Sequence, residues 1–389
     1  MTPSETFVSE LCEKSFLPFW SFPNPLQKKN KELCDVLIVC NNNIIIISIK
    51  DIKISGHSDQ QIQYERWQKK AIRSSIDQIY GAERFLLGAT AITLNDSKTQ
   101  IVLPPKVSRR IYRIAIAFGG EQRFPLETGD FGQGFVHVFD EESTSTVFDE
   151  LDTITDFVNY LNAKERFLGD KRIMVPSEVD FLALYIDTSL EFDFNPDTVV
   201  LDKGLWTDYQ KSSAYRQWRK EIKISYIWDE IVSQLHNIHI LENNKTNLRS
   251  ELEKAMRLIT LEPRMNRMEL GITLTDAIQK KVKGRMIKAL PGSNHSYVFM
   301  PLSSKNWEQK EKELQLRCMV ARFENPEATE VIGISIGIGP DGQSIFDVVY
   351  MNIPDLTPEI LLQTKAAKEE LGYFKDPVIS RSKDMRGKY

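Results

Sequence analysis

The stretch CDVLIVCNNNIIIISIKD, residues 34–51, reads as two apolar strands joined by a tight polar turn. Asp35 opens the first strand, and Ser48 and Lys50 sit near the end of the second. A buried charge is costly without a partner, so an acid and a lysine on so apolar a hairpin need each other or a ligand. Side chains alternate faces along a strand, so the length of the turn decides which groups meet. A turn of two residues from the NNN run pairs Cys40 with Asn43 and sets Asp35 opposite Ser48. A four-residue turn sets Asp35 opposite Lys50. Either way Asp35, Ser48 and Lys50 share one face, whereas a three-residue turn puts Asp35 on the face of Ile49 and Asp51. A carboxylate beside an ammonium at the open end of a hairpin suits binding a divalent metal and positioning a water.

On the N-terminal side, Thr2-Pro3-Ser4-Glu5 has the form of a capping box with proline in the first turn. Phe7, Val8, Leu11 and Cys12 then recur on one face, which predicts a helix over 3–16. A short aromatic strand is expected within 16–22. Beyond the hairpin, residues 60–88 read as one long amphipathic helix, with Arg66, Lys69, Lys70 and Arg73 clustered away from its apolar side. RRIYRIAIAF (109–118) and FVHVFD (135–140) alternate as strands do, and Asp140 suits a helix N-cap region. A helix is expected over 145–162, a mostly helical segment over 206–290, and strands at YVFMPLS, QLRCMVARF, VIGISIGIG and IFDVVYMNI. A last helix follows Pro358, and the final dozen residues look frayed and basic.

The chain has 389 residues, 41% apolar and 27% charged, enough for two or three domains with real cores. No apolar run approaches the roughly 20 residues that span a bilayer, so no membrane is expected. The N-terminus lacks the basic-then-apolar pattern of a secretory signal. Cys12, Cys34, Cys40 and Cys318 lack CxxC spacing and are expected to be free thiols in a reducing cytoplasm.

The net charge of −4 argues against a generic nucleic-acid coat, but its distribution is uneven. Residues 121–165 hold eleven acids against two basic residues, a surface suited to a basic protein partner. Residues 245–288 hold eleven basic residues against five acids, with Lys280, Lys281 and Lys283 close together as candidates for phosphate contact. The glycines of VIGISIGIGPDG lack the following helix of a dinucleotide loop and read as strand and turn. His236 and His239 have no cysteine or acid at ligand spacing.

The run ELCDVLIV…IIIISIK resembles the second and third motifs of the PD-(D/E)xK nuclease superfamily, where an acid starts one strand and an acid-x-lysine follows on its neighbour. Asp35 matches the first acid and Lys50 the lysine; the element order over about 3–120 is also similar. The resemblance implies a restriction-endonuclease-like mixed sheet, Mg²⁺ held by Asp35 with Glu10 on the first helix, and Lys50 orienting the attacking water. It implies nucleic acid as partner, DNA foremost, in processing or in defence against foreign DNA. Gln78 matches an assisting glutamine on the helix after the lysine strand. Ser48 departs from the pattern, since a hydroxyl cannot replace a carboxylate charge on Mg²⁺; Asp51 could donate instead, or Asp51-Ile52-Lys53 could be the working triplet.

The expectation is an α/β protein in three parts: a nuclease-like mixed-sheet domain over 1–170, a mainly helical binding region over 171–290, and an α+β domain over 291–389. Its function is expected to be metal-dependent nucleic-acid cleavage, or nucleic-acid binding derived from it. The rival is a catalytically inactive nuclease-fold scaffold for protein interaction, docking its partner through the acidic 121–165 segment.

Overall fold

The computed structural model describes residues 1–27, 31–170, 172–174, 177–192, 198–241, 246–289, 293–303, 308–338 and 344–374. The chain is mixed α/β and divides into two compact units. Of the described residues, the first comprises those of 1–222 and 260–264, and the second those of 223–259 and 265–374. The boundary expected at 170 therefore falls inside the first unit, and the one expected at 290 inside the second. The basic chain end lies outside the described residues, as does the side chain of His239.

The first unit opens with α1 (Pro3–Phe16), whose Thr2 and Glu5 form the expected capping box. Strands β1 (Ser21–Pro23), β2 (Val36–Cys40) and β3 (Asn43–Asp51) form a meander. The β2–β3 turn takes two residues: Cys40 pairs with Asn43, and Asn41 adopts a left-handed φ of 53°, which asparagine tolerates. The long helix is continuous but not uniform. It runs as α2 (Gln60–Trp67), a π-helical stretch (Gln68–Arg73) and α3 (Ser74–Gly88). A small hairpin, β4 (Ala91–Thr93) and β5 (Gln100–Val102), precedes β6 (Arg110–Phe118), β7 (Gly129–Asp130) and β8 (Phe135–Phe139).

The six strands lie in the order β1-β2-β3-β6-β8-β7, with β3, β6 and β8 mutually parallel. Such strands are buried on both faces and read as near-continuous apolar runs, as Ile44 to Ile47 do. On one face Ile44, Ile46, Ala115 and Val138 pack with Trp67, Ile72, Ile76 and Ile79 of the long helix. On the other, Phe16 of α1 meets Phe148 and Phe157 from α4 (Glu141–Glu150) and α5 (Ile154–Asp170). Asp140 caps α4. The single helix expected over 145–162 is thus two, because Thr153 accepts from the Asp156 amide and starts a new one. Then follow β9 (Arg172–Met174), α6 (Glu178–Asp187), β10 (Thr198–Val200), α7 (Leu205–Lys211) and α8 (Ser213–Glu221).

The second unit contains α9 (Tyr226–Leu241) and most of α10 (Thr246–Leu261) and α11 (Arg264–Gln279), then β11 (Arg285–Ile287) and β12 (His295–Pro301). QLRCMVARF is helical, within α12 (Lys310–Glu324), not the expected strand. Its buried Leu314, Arg317, Cys318 and Ala321 recur every three or four residues and bring Leu314, Cys318 and Ala321 onto Val298, Met300 and Val331. Strands β13 (Glu330–Ile338) and β14 (Ser344–Asn352) complete a sheet of order β11-β12-β13-β14, with β12 and β13 parallel, and α13 (Pro358–Leu371) follows. Gly333 is where α12 comes closest: a Cβ there would lie 2.4 Å from Cys318 Sγ. That glycine serves packing, in keeping with the absence of a phosphate loop in the sequence.

Candidate functional site

The two-residue turn decides the site. With Val36 opposite Ile47, the ladder carried one residue further sets Asp35 beside Ser48. Asp35 is buried, and its Oδ2 accepts from the Ile49 amide at 2.6 Å. Lys50 projects on the same face, its Nζ 4.0 Å from Asp35 Oδ2 and its side chain 29% exposed. Gln78 of α3 lies over the pair, its Oε1 accepting from Ser48 Oγ and from Lys50 Nζ, each at 2.9 Å. The π-helical stretch contributes to that meeting. A π turn shifts the phase of everything after it relative to a plain α-helix. Trp67 is held against Gly120, where a Cβ would come within 2.7 Å of the indole, while Gln78 reaches the hairpin on the far side of the π turn. Trp67 is a packing residue, 2% exposed.

Burial raises the Asp35 carboxyl above the usual carboxylate range, against the lowering pull of the Ile49 amide and Lys50. Glu32, three residues earlier, is also raised, by partial burial and then by Asp35, with which it lies in hydrogen-bond reach. Glu5 of α1 raises both. A carboxyl raised by a neighbouring carboxylate, as Glu32 is by Asp35, favours either a retained proton or a cation beside the pair.

The acids at the site are therefore Asp35, Glu32 and, further out, Glu5. Glu10, expected from the sequence, is exposed five residues along α1, about 140° around the helix from Glu5, and its charge acts on Glu13. Glu32 was hidden in a loop stretch, although KELCD places it one turn from Asp35 in sequence. Glu5 was hidden behind its capping role. Asp51 lies on the opposite face, where Ser4 Oγ donates to its Oδ2 at 2.5 Å. Lys53 lies past the end of β3 and is exposed, so the shifted triplet does not form the site.

On the long helix, Arg66, Lys69 and Lys70 are exposed, whereas Arg73 pairs with Glu127 at 2.8 Å and covers the Phe131 ring. In the second unit Lys280 pairs with Asp276 at 2.9 Å, while Lys281 and Lys283 are exposed. The acids of 121–165 are largely occupied within the first unit. Asp149 binds Lys14 and Arg219, Glu150 binds Tyr215 and Arg219, and Asp152 binds Arg264. Glu121, Glu127, Asp130, Glu142 and Glu165 of the segment remain exposed.

Among the described residues no three His, Cys, Asp or Glu side chains are gathered as a metal site. The donor chemistry available to Mg²⁺ is the Asp35–Glu32 pair with neutral Ser48 and Gln78 oxygens beside it, which fits one hard cation that keeps much of its water. No helix among the described residues is long and apolar enough to cross a membrane. No protein-family model matches the chain, and comparison with curated proteins and with solved structures finds no match.

Proposed function

We propose that the first unit is a nuclease-like domain of the PD-(D/E)xK type, acting on the phosphodiester backbone of nucleic acid, with DNA the first substrate to test. The observation that supports it is the meeting of Asp35, Ser48, Lys50 and Gln78 on one face where strand β3 ends. Lys50 is held 4.0 Å off its carboxylate, with N–H donors left for an anionic phosphate oxygen. Gln78 fixes the lysine and the serine together, so the cation needs no rearrangement to meet charge that develops on the phosphate. Lys50, on the Asp35 face, would orient the attacking water toward the phosphate. Mg²⁺, held by Asp35 and Glu32, would supply charge to neutralise the phosphate.

The test is cleavage of single- and double-stranded DNA and RNA with Mg²⁺ or Mn²⁺, comparing wild type with Asp35→Asn and Lys50→Ala. Metal-dependent cleavage lost in both variants is expected; undiminished cleavage in either overturns the mechanism. A second reading, binding without cutting, is favoured by one observation: Ser48 stands where the motif carries an acid, so only two carboxylates lie close to the metal position. Metal-independent binding with no cleavage would establish it.

A further inference from the structure

A cavity of about 450 Å³ lies in the first unit beside strand β8. Phe124, Leu126 and Val138 from the core under the long helix line it together with Phe181, Trp206 and Lys164 of α5. Aromatic and aliphatic walls with a few fixed polar groups are the usual make-up of a small-molecule site of this volume.

Its polar groups differ in how far they are satisfied. Asp140 Oδ1 accepts from the amide and hydroxyl of Ser143. Asp180 Oδ1 accepts from the Gly204 and Trp206 amides, and its Oδ2 from Ser177. Glu178 accepts from Tyr160 and Lys164, and Glu142 from Gln122. Lys164 is the exception. It is 2% exposed and, among the described residues, makes one hydrogen bond, 2.5 Å to Glu178 Oε2; the Phe139 and Phe181 rings flank it at 5.4 and 5.9 Å. An ammonium has three donors, so two N–H groups are left for whatever occupies the cavity. The occupant must bring an acceptor. It should not be an anion, since Asp140, Glu142, Glu178 and Asp180 outnumber Lys164 and Lys203 around the space. A neutral carbonyl oxygen on a flat apolar ring satisfies both conditions.

The register of the sheet then places this cavity relative to the polar site. Ser48 pairs with Ala115, and Ala115 with Val138. Val138 is therefore level with Ser48 and two strands away, about 10 Å at the usual strand spacing.

We propose that the cavity takes an unpaired nucleobase, its carbonyl oxygen on Lys164 Nζ and its ring between Phe124 and Trp206, from the strand whose backbone crosses the Asp35–Lys50 site. This rests on the nucleic-acid reading of that site and adds a preference: single strands over duplex, and carbonyl-bearing bases over adenine, which has no carbonyl oxygen.

The experiment titrates the full chain with uridine, adenosine and benzoate by calorimetry, then with oligo-dT and oligo-dA by fluorescence anisotropy. Three variants accompany wild type: Lys164→Met removes the donors, Leu126→Trp fills the cavity without touching the ion pair, and Lys50→Ala alters only the phosphate site. Uridine is expected to bind at one site about tenfold or more tighter than adenosine, the scale of one hydrogen bond to a charged group. Leu126→Trp should abolish that binding with an unchanged melting temperature, and Lys50→Ala should leave it intact. Should Lys164→Met unfold, the Leu126→Trp result decides alone. Equal affinity for uridine and adenosine, uridine binding that survives Leu126→Trp, or tighter binding of benzoate each overturns the proposal. Oligonucleotide cleavage without uridine binding overturns the cavity assignment alone. Uridine binding with no oligonucleotide binding overturns the Asp35–Lys50 reading instead.

Discussion

Two lysines of the first unit each face a carboxylate, and they are built differently. Lys164 and Glu178 are closed to 2.5 Å, with side chains 3% and 9% exposed. Lys50 and Asp35 stand 4.0 Å apart; the acid is buried, and the lysine is partly open and bonded to Gln78. A closed buried pair offsets the desolvation of both charges and becomes expensive to break. A spaced pair leaves part of each charge for something else to satisfy. The first arrangement holds the fold together and leaves only the unused N–H groups of Lys164 for the cavity; in the second the ion pair itself is open to a ligand. Arg264 and Asp152, both 4% exposed and 2.8 Å apart, belong with the closed kind.

If that distinction is real, the largest effect comes from opening the closed pair. Glu178→Ala leaves Lys164 buried without its counter-ion, and about 3–5 kcal/mol of stability should be lost. The check is the urea midpoint of the variant against wild type. A loss below about 1 kcal/mol, the level of an exposed pair, would erase the contrast with Lys50.

Next in size is the spaced pair, which should behave the opposite way. Lys50→Ala should lower the cleavage rate by about 10²-fold or more, roughly 2.7 kcal/mol of transition-state stabilisation, and leave the urea midpoint within about 0.5 kcal/mol. A folded variant that cuts at the wild-type rate removes Lys50 from the chemistry. One that unfolds with the same loss as Glu178→Ala makes the two pairs alike.

The two kinds of pair were not equally legible in the sequence. Asp35, Ser48 and Lys50 could be placed on one face because a hairpin is local: the NNN turn sets the register and the period of two does the rest. The caps at Thr2 and Asp140 were legible for the same reason. Lys164 and Glu178 are fourteen residues apart across a helix boundary, and Arg264 reaches Asp152 over more than a hundred, so tertiary packing alone brings them together. The same limit explains where the structure departs from the sequence reading. Residues 315–323 are apolar enough for a strand, but the spacing of Leu314, Cys318 and Ala321 decided for a helix once a sheet lay beneath it. Glu10 and Glu5 both sit on α1, and only the facing sheet distinguishes them. Boundaries at 170 and 290 followed changes of pattern, whereas the units follow contact, and 260–264 belong to the first unit across a long stretch of chain.

A third test probes the closed region through pH. His137 is buried with no partner at Nδ1 among the described residues, and burial, then Lys164 and Arg113, hold its pKa well below the ordinary value of 6.5. It is neutral when folded, while the unfolded chain takes up a proton below about 6.5. Its contribution to stability is thus present above that pH and is lost as pH falls through the range below it. The slope approaches about 1.4 kcal/mol per pH unit for this one group. His137→Phe should remove this loss, so the wild-type-minus-variant stability difference should fall as pH drops from about 6.5 to 5. Parallel curves for the two proteins would mean His137 is charged in the fold, and the closed region less sealed than the Lys164–Glu178 distance implies.

The smallest effect is expected where lysines lie at the surface, and it carries the same contrast into the second unit. Lys280 is bonded to Asp276, while Lys281 and Lys283 are exposed. A lysine that already has a counter-ion on the protein releases little on meeting a phosphate, whereas a free one adds nearly one unit to the log–log salt slope. If this segment contacts nucleic acid, Lys281→Gln with Lys283→Gln should reduce the slope of binding against salt by about 2. Adding Lys280→Gln should change it little further, and Asp276→Asn should raise the slope toward the value for three free lysines. Anisotropy titrations of an oligonucleotide over a salt series read this directly. If all three lysines contribute equally, pairing on the protein does not decide which charges are open to a ligand. If none contributes, the basic segment is a solvated face, and nucleic acid is met by the first unit alone.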